Sequence, residues 1–230
     1  MGDFIKKYVL LTGKSWHDNL FEELQKTVPG EWVRICNKDA FTELALAEIK
    51  PVKIFIPHWS HIIPDSIYEK YECIVFHMTD LPFGRGGSPL QNLIIRGMNN
   101  TKISAIRVVK ELDAGGVYLK KDLSLEGTAS DIFLRSVPII KQMIKSIIID
   151  NLQPSPQFGQ PVIFKRRKPE ESNISGLVAI KEIYDYIRML DCEGYPSAFL
   201  ETNHFRFEFS KAVLSDNNEI VQAYVRIIEK

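Results

Sequence analysis

The chain has no charge to spare: Lys and Arg number 29 together, and so do Asp and Glu. An excess able to neutralise many phosphates is absent. That argues against wholesale adhesion to nucleic acid and leaves only a local basic patch open. Cysteine is scarce. Cys36, Cys73 and Cys192 lie far apart and form no CxxC, which excludes a disulfide framework and fits reduced thiols in a cytoplasmic protein. No apolar run approaches the ~20 residues of a membrane span. The N-terminal MGDFIKKYVLL has too short an apolar stretch for a secretory leader, and no small-residue cleavage site follows it. Glycine-rich nucleotide loops are missing as well. TGKS at 12–15 looks like the tail of a P-loop, but that motif needs a glycine where Tyr8 stands, and no GxGxxG follows the first apolar run. HWSH at 58–61 offers two histidines without an adjacent Cys, Asp or Glu to complete a ligand set, so no metal is expected. His17 and His204 stand alone and read as ordinary structural or surface residues.

What the chain does have is enough apolar material, 45% of its residues, to bury a substantial core. Its first part alternates between two periods. YVLLTG (8–13), WVRIC (32–36), VKIFIP (52–57) and CIVF (73–76) read as buried strands. Between them, 16–28 carries Leu20, Leu24 and Val28 at helical spacing. FTELALAEI (41–49) is a second helix with Asp39 as its N-cap, and Pro64 opens a short third one. Apolar strands separated by helices predict a mostly parallel sheet covered on both faces, with its site beyond the carboxyl ends of the strands. KISAIRVVKEL (102–112) and VYLKKDLSL (117–125) flank DAGG and read as a hairpin in the same sheet. A long helix over 128–150 closes the unit. The proline-rich stretch LQPSPQFGQP marks the boundary, which divides the chain into a core (1–151), a linker (152–162) and a small α+β extension (163–230). In the extension a helix is expected over 177–190, a turn at GYPSAF, and strands near 204–209 and 219–228.

His77 ends the fourth strand and leads into Thr79, Asp80, Pro82, Arg85, Gly86, Gly87 and Ser88, with Pro89 at a helix start. A histidine that exchanges a proton near neutral pH suits acyl-type transfer, and glycines allow close backbone approach to a ligand. Asp113 in the DAGG turn can reach from an adjacent strand to orient the imidazole.

HMTDLPFGRGGSPLQNLI closely resembles the signature of the folate-dependent formyltransferases: histidine, Ser/Thr-x-Leu-Pro, a two-residue spacer, Arg-Gly, and a proline opening a helix. KELDAGGVYL is similar to that family's aspartate loop, and HWSHIIP stands where the family has a segment ending in Ile-Leu-Pro. FKRRKPEESNI and IYDYIRMLDCEGYPSAF resemble the C-terminal region of its sugar and tRNA members, so the likeness touches most of residues 50–210. It implies a Rossmann-like formyltransferase core that moves a formyl group from N10-formyltetrahydrofolate, as co-substrate, to a primary amine. His77 and Asp113 match the catalytic pair. Thr79, Leu81, Pro82, Arg85 and Gly86 would meet the folate donor together with Leu112, Ala114 and Gly115.

The family's asparagine two residues before the histidine is Val75 here, which cannot donate to an oxyanion. His58, Ser60 and His61 are candidate substitutes, with Gln91 and Asn92 less well placed; the alternatives to a sugar-modifying enzyme are a short tRNA-formylating member of the family and a catalytically silent folate- or nucleotide-sugar-binding protein. Of the family's acceptors, a nucleotide-activated amino sugar fits best, a UDP- or TDP-linked 4-amino-4,6-dideoxyhexose for surface glycan synthesis. A tRNA-formylating member would carry a fuller C-terminal barrel than the short segment after the linker. Arg166, Arg167 and Lys168 would face the sugar's diphosphate, or form a solvated turn balanced by Glu170 and Glu171. The C-terminal hairpin makes a homodimer reasonable.

Overall fold

A computed structural model describes residues 5–230; the first four residues of the expected core and of the leader reading lie outside it. The first elements are β1 (Lys7–Leu11), α1 (Asp18–Thr27), β2 (Glu31–Ile35), α2 (Glu43–Ile49), β3 (Lys53–Pro57), α3 (Asp65–Tyr68) and β4 (Cys73–His77). Next come β5 (Phe83–Gly86), α4 (Pro89–Ile95), β6 (Asn100–Arg107), β7 (Val117–Ser124), α5 (Ala129–Ile149) and β8 (Val162–Phe164). The chain ends with α6 (Ile180–Arg188), β9 (Ala198–Glu201), β10 (Phe205–Leu214) and β11 (Val221–Glu229). It divides into two compact units. One comprises the chain through Arg85, Lys102–Asp122 and Arg135–Ile163; the other Gly86–Thr101, Leu123–Leu134 and Phe164–Lys230.

The first unit is organised by a six-stranded sheet of order β2-β1-β3-β4-β6-β7. The pairs β1–β2, β1–β3 and β3–β4 are parallel, and β6 runs antiparallel to β4. This is the mixed, mostly parallel sheet expected from the alternating periods. Parallel strands are covered on both faces, which is why Val9, Leu10, Leu11, Ile54, Phe55 and Ile56 are buried without a polar face between them. Leu20 and Leu24 of α1, with Val28 just past its end, are buried as their spacing predicts, although the helix starts at Asp18 after a short 3-10 turn at Ser15–His17. Thr42, not Asp39, caps α2, its Oγ1 accepting from Ala45 N at 3.2 Å. Thr42 is extended and immediately precedes the helix, so its hydroxyl reaches the first free amides.

The expected pairing of these two runs in the same sheet is present, β6 beside β7, and only its turn needs revision. β6 stops at Arg107, and residues 108–116 form a long connection instead of a DAGG turn. Gly115 lies so close to Arg107 that an added Cβ would stand 1.7 Å from the Arg107 carbonyl oxygen, while Arg107 N donates to Gly116 O. The glycine pair therefore seals the end of β6 backbone to backbone. In the expected linker, Ser155 exchanges two backbone hydrogen bonds with Val117 at 2.7 and 2.9 Å.

The second unit carries a three-stranded antiparallel sheet, β11-β10-β9. β9 begins inside the segment read as a turn, and α6 is shorter at both ends than predicted. Gly86 and Gly87 permit close approach, but here it is the chain itself that approaches: added Cβ atoms would meet Phe164 O at 2.3 Å and Arg166 Cβ at 2.5 Å. Among the described residues no helix is long and apolar enough to cross a membrane.

Candidate active site

His77 is the last residue of β4, at the carboxyl end of the sheet. Successive side chains alternate faces along a strand, so His77 shares a face with Val75. Its Nε2 donates to Gly84 O at 2.7 Å, a carbonyl that also receives Thr79 Oγ1 at 3.3 Å. The loop that supplies this carbonyl is pinned to β6. Fully buried Ser104 pairs with His77 in the ladder, donates to Thr79 O at 2.7 Å and accepts from Leu81 N at 3.4 Å. Thr79 and Leu81 are themselves buried, and the Leu81–Pro82 peptide is cis. Asp80 turns outward to Lys120 and Lys102. Burial alone would raise its carboxyl, but those two ammonium groups hold it below the usual range.

Asp113 is brought beside the imidazole by the 108–116 connection, with Oδ2 3.6 Å from His77 Nδ1. Both side chains are largely occluded, at 9% and 13% exposure, which strengthens their mutual electrostatic influence. The aspartate has φ +52, a conformation that L-residues adopt only when surroundings hold it there. Gln157 supplies part of that hold. Its Nε2 donates to Asp113 O at 2.8 Å and Gly115 O at 2.9 Å, and its Oε1 accepts from Arg85 Nε and Nη2. Arg85 also reaches Glu111 at 3.5 Å. No motif pointed to Gln157 or to Ser104.

A cleft of about 420 Å³ adjoins these loops, lined by Leu81, Val117–Lys120 and Ser155–Phe158. It shares Leu81 with the histidine loop and Gln157 with the aspartate loop. Its walls are largely apolar, with Lys120 and Gln157 among the polar residues. In the aspartate loop Leu112 is exposed, Ala114 half-buried and Gly115 buried; Pro82 and Gly86 are half-buried.

Val75 packs against the aliphatic cluster that includes Leu11, Ile35 and Ile56, and faces Ile56 and Ile106 on the neighbouring strands. Of its candidate substitutes, His58 has both ring nitrogens engaged. Nδ1 is 3.1 Å from His17 Nε2, and Nε2 is 3.1 Å from Met78 Sδ. His17 in turn meets Thr12 Oγ1 at 2.7 Å and is fully buried, so it is half of a stacked histidine pair and not an isolated residue. Burial, then the proximity of His58, Arg34 and Lys14, lowers His17 to about 2. Burial and Lys14 lower His58 to about 4. Ser60 and His61 are exposed. Gln91 donates to Met189 O, and Asn92 to Gly87, Ser88 and Lys165 carbonyls. Among the basic residues, Arg166 and Lys168 are exposed, whereas Arg167 donates to Glu171 O and lies over the Tyr186 ring. Cys36, Cys73 and Cys192 form no disulfide, and among the described residues no cluster of His, Cys, Asp and Glu could hold a metal ion.

The family profile of the methionyl-tRNA formyltransferase C-terminal domain matches residues 169–228. Methionyl-tRNA formyltransferase of Bacillus thuringiensis (strain Al Hakam) is 29% identical over 168 residues, 69% of this chain and 53% of that protein. The chain thus spans about half the length of the curated relatives it matches. The structure of methionyl-tRNA formyltransferase from Clostridium thermocellum is 46% identical with a TM-score of 0.94, covering 98% of this chain and 100% of that one. A sugar N-formyltransferase from Shewanella sp FDAARGOS_354 has the same fold, with a TM-score of 0.65 at 13% identity over 95% of this chain and 96% of that one.

Proposed function

The chain belongs to the formyltransferase family, transferases of one-carbon groups, and from that premise we propose that it moves a formyl group from N10-formyltetrahydrofolate to a primary amine at His77 and Asp113. The observation that carries this reading is the pair itself: two occluded side chains, one ending β4 and one from the 108–116 connection, 3.6 Å apart at the carboxyl end of the sheet. With the Nε2 proton committed to Gly84 O, Nδ1 is the position through which the ring gives or takes a proton. The 3.6 Å gap is longer than a hydrogen bond. The amine nitrogen attacks the formyl carbon, and the formyl oxygen beside Nδ1 accepts a hydrogen bond from the protonated ring as negative charge builds on it; Asp113 takes the amine's proton and passes it to N10 as the bond between the formyl carbon and N10 breaks, so that tetrahydrofolate leaves neutral. The folate, when bound, supplies the formyl carbon. The cleft that Leu81 and Lys120 line is the one proposed for its pterin ring; Thr79, Pro82, Arg85, Gly86, Leu112, Ala114 and Gly115 are the residues that the family resemblance assigns to the donor.

The acceptor is a nucleotide-linked amino sugar such as a UDP- or TDP-4-amino-4,6-dideoxyhexose. The balanced charge of 29 against 29 supports a small substrate over a polyanion, and exposed Arg166 and Lys168 offer cations for a diphosphate. A second reading, formylation of charged initiator tRNA, is favoured by the 46% identity with the Clostridium protein and by the C-terminal match.

One experiment separates them. The protein is incubated with formyltetrahydrofolate and either a panel of nucleotide amino sugars or methionyl-tRNA, and formyl incorporation is followed by mass spectrometry. Sugar formylation that falls at least 100-fold in His77→Asn and Asp113→Asn supports the first reading, since one lost oxyanion donor costs about 10²–10³ in kcat. Incorporation into tRNA alone transfers the assignment to the second. No incorporation by the wild-type chain, with folate binding intact, would leave a silent binding protein.

A further inference from the structure

Beyond the residues matched to the family pattern, we infer that Gln157 is a positioning residue of this site, holding Asp113 and Arg85 in register through a single side-chain amide. The inference rests on the reading of His77 and Asp113 as the reacting pair. A primary amide offers two N–H donors and two oxygen lone pairs, and in Gln157 all four are used. The donors go to Asp113 O and Gly115 O, and the lone pairs receive Arg85 Nε and Nη2. The alternative amide orientation would point N–H groups at the guanidinium and oxygen at two carbonyls, so this one is set by its surroundings.

The geometry explains why such a clamp is needed. Asp113 sits at positive φ, where a non-glycine residue is held by its neighbours. On its far side the loop cannot shift inward, because Gly115 already touches the Arg107 carbonyl. The two carbonyls are fixed by one NH2 group, which sets the Asp113–Ala114 and Gly115–Gly116 peptide planes and so fixes the C-terminal side of Asp113. The opposite face of the amide orients Arg85, two residues before Gly87 in the loop whose Gly84 carbonyl holds His77. One side chain therefore spans the histidine loop and the aspartate loop. It is delivered by the Ser155–Val117 bridge two residues upstream.

Gln157→Glu tests the separate halves of the amide. It keeps the acceptor for Arg85 and replaces the two donors with an oxygen facing two carbonyls. The expected result is a 10- to 100-fold fall in kcat, in keeping with ~10²-fold losses for 1 Å misplacements. In an Asp113→Asn background the same substitution should cost less than threefold, because its effect runs through Asp113. Fully additive losses, or an unaltered Gln157→Glu enzyme, overturn the inference. A readout independent of turnover keeps it separable from the functional assignment. Amide hydrogen exchange at residues 113–116 should accelerate at least tenfold in Gln157→Glu, and unchanged exchange there overturns the inference even in a protein that formylates nothing. Wild-type inactivity, by contrast, counts against the formyl-transfer assignment alone.

Discussion

Acidification from pH 7 to pH 5 is expected to remove about 3–4 kcal/mol of stability through two histidines that no catalytic step uses. His17 and His58 stack with ring centroids 5.0 Å apart, and His17 is completely buried. Folding holds both imidazoles neutral, at about 2 for His17 and about 4 for His58. In the unfolded chain each titrates near 6.5. The folded state thus binds fewer protons. The contribution is complete above about 6.5 and is lost as pH falls below it, down toward 4 for one ring and 2 for the other. At 1.36 kcal/mol per pH unit, 1.5 units below 6.5 costs about 2 kcal/mol for each ring. Lys14 opposes protonation of both rings, and Arg34 that of His17. The lowered carboxylates Glu43, Asp80 and Glu201 act near and below the ordinary carboxylate range, outside this window. The assay is guanidinium denaturation at pH 7 and pH 5 for the wild type and for a His17→Asn, His58→Asn double variant. The wild type should lose the stated amount, and the double variant less than 1 kcal/mol. An equal loss in both would refute the assignment of acid sensitivity to this pair.

Three further perturbations test the scaffold. Gly115→Ala places a methyl group 1.7 Å from Arg107 O, so the 108–116 connection must move; transfer activity should fall at least 100-fold while the far-UV circular dichroism of the sheet persists. Ser104→Ala orphans the buried Thr79 carbonyl and Leu81 amide and should cost about 1–3 kcal/mol in a denaturant titration. Val75→Asn puts an amide between Ile56 and Ile106 and should lower stability by a similar 1–3 kcal/mol. An unchanged midpoint there would mean that the new amide finds water or a partner.

What could be read from the chain alone was whatever repeats or is locally forced. The apolar strands and the Leu20, Leu24, Val28 spacing fixed the sheet and its first helix, because burial on two faces leaves a continuous apolar signature. The position of His77 at the carboxyl end of the fourth strand was legible because the apolar run stops there. Gln157 was not. It sits among prolines without any period, and its partners lie 42 to 72 residues away, so only the closed fold reveals them. The His17–His58 pair, 41 residues apart, escaped for the same reason. Val75 joins these two kinds of information. The sequence singles it out as an expected departure from the pattern the chain resembles, and the fold packs the position among aliphatic side chains. The polar groups that hold His77 come instead from the two loops, Gly84 O on Nε2 and Asp113 beside Nδ1. A site supported in this way depends on loop register more than on the strand that carries its histidine. That dependence is why one amide, reaching from the proline-rich segment to both loops, is expected to matter more than any residue within β4 other than His77 itself.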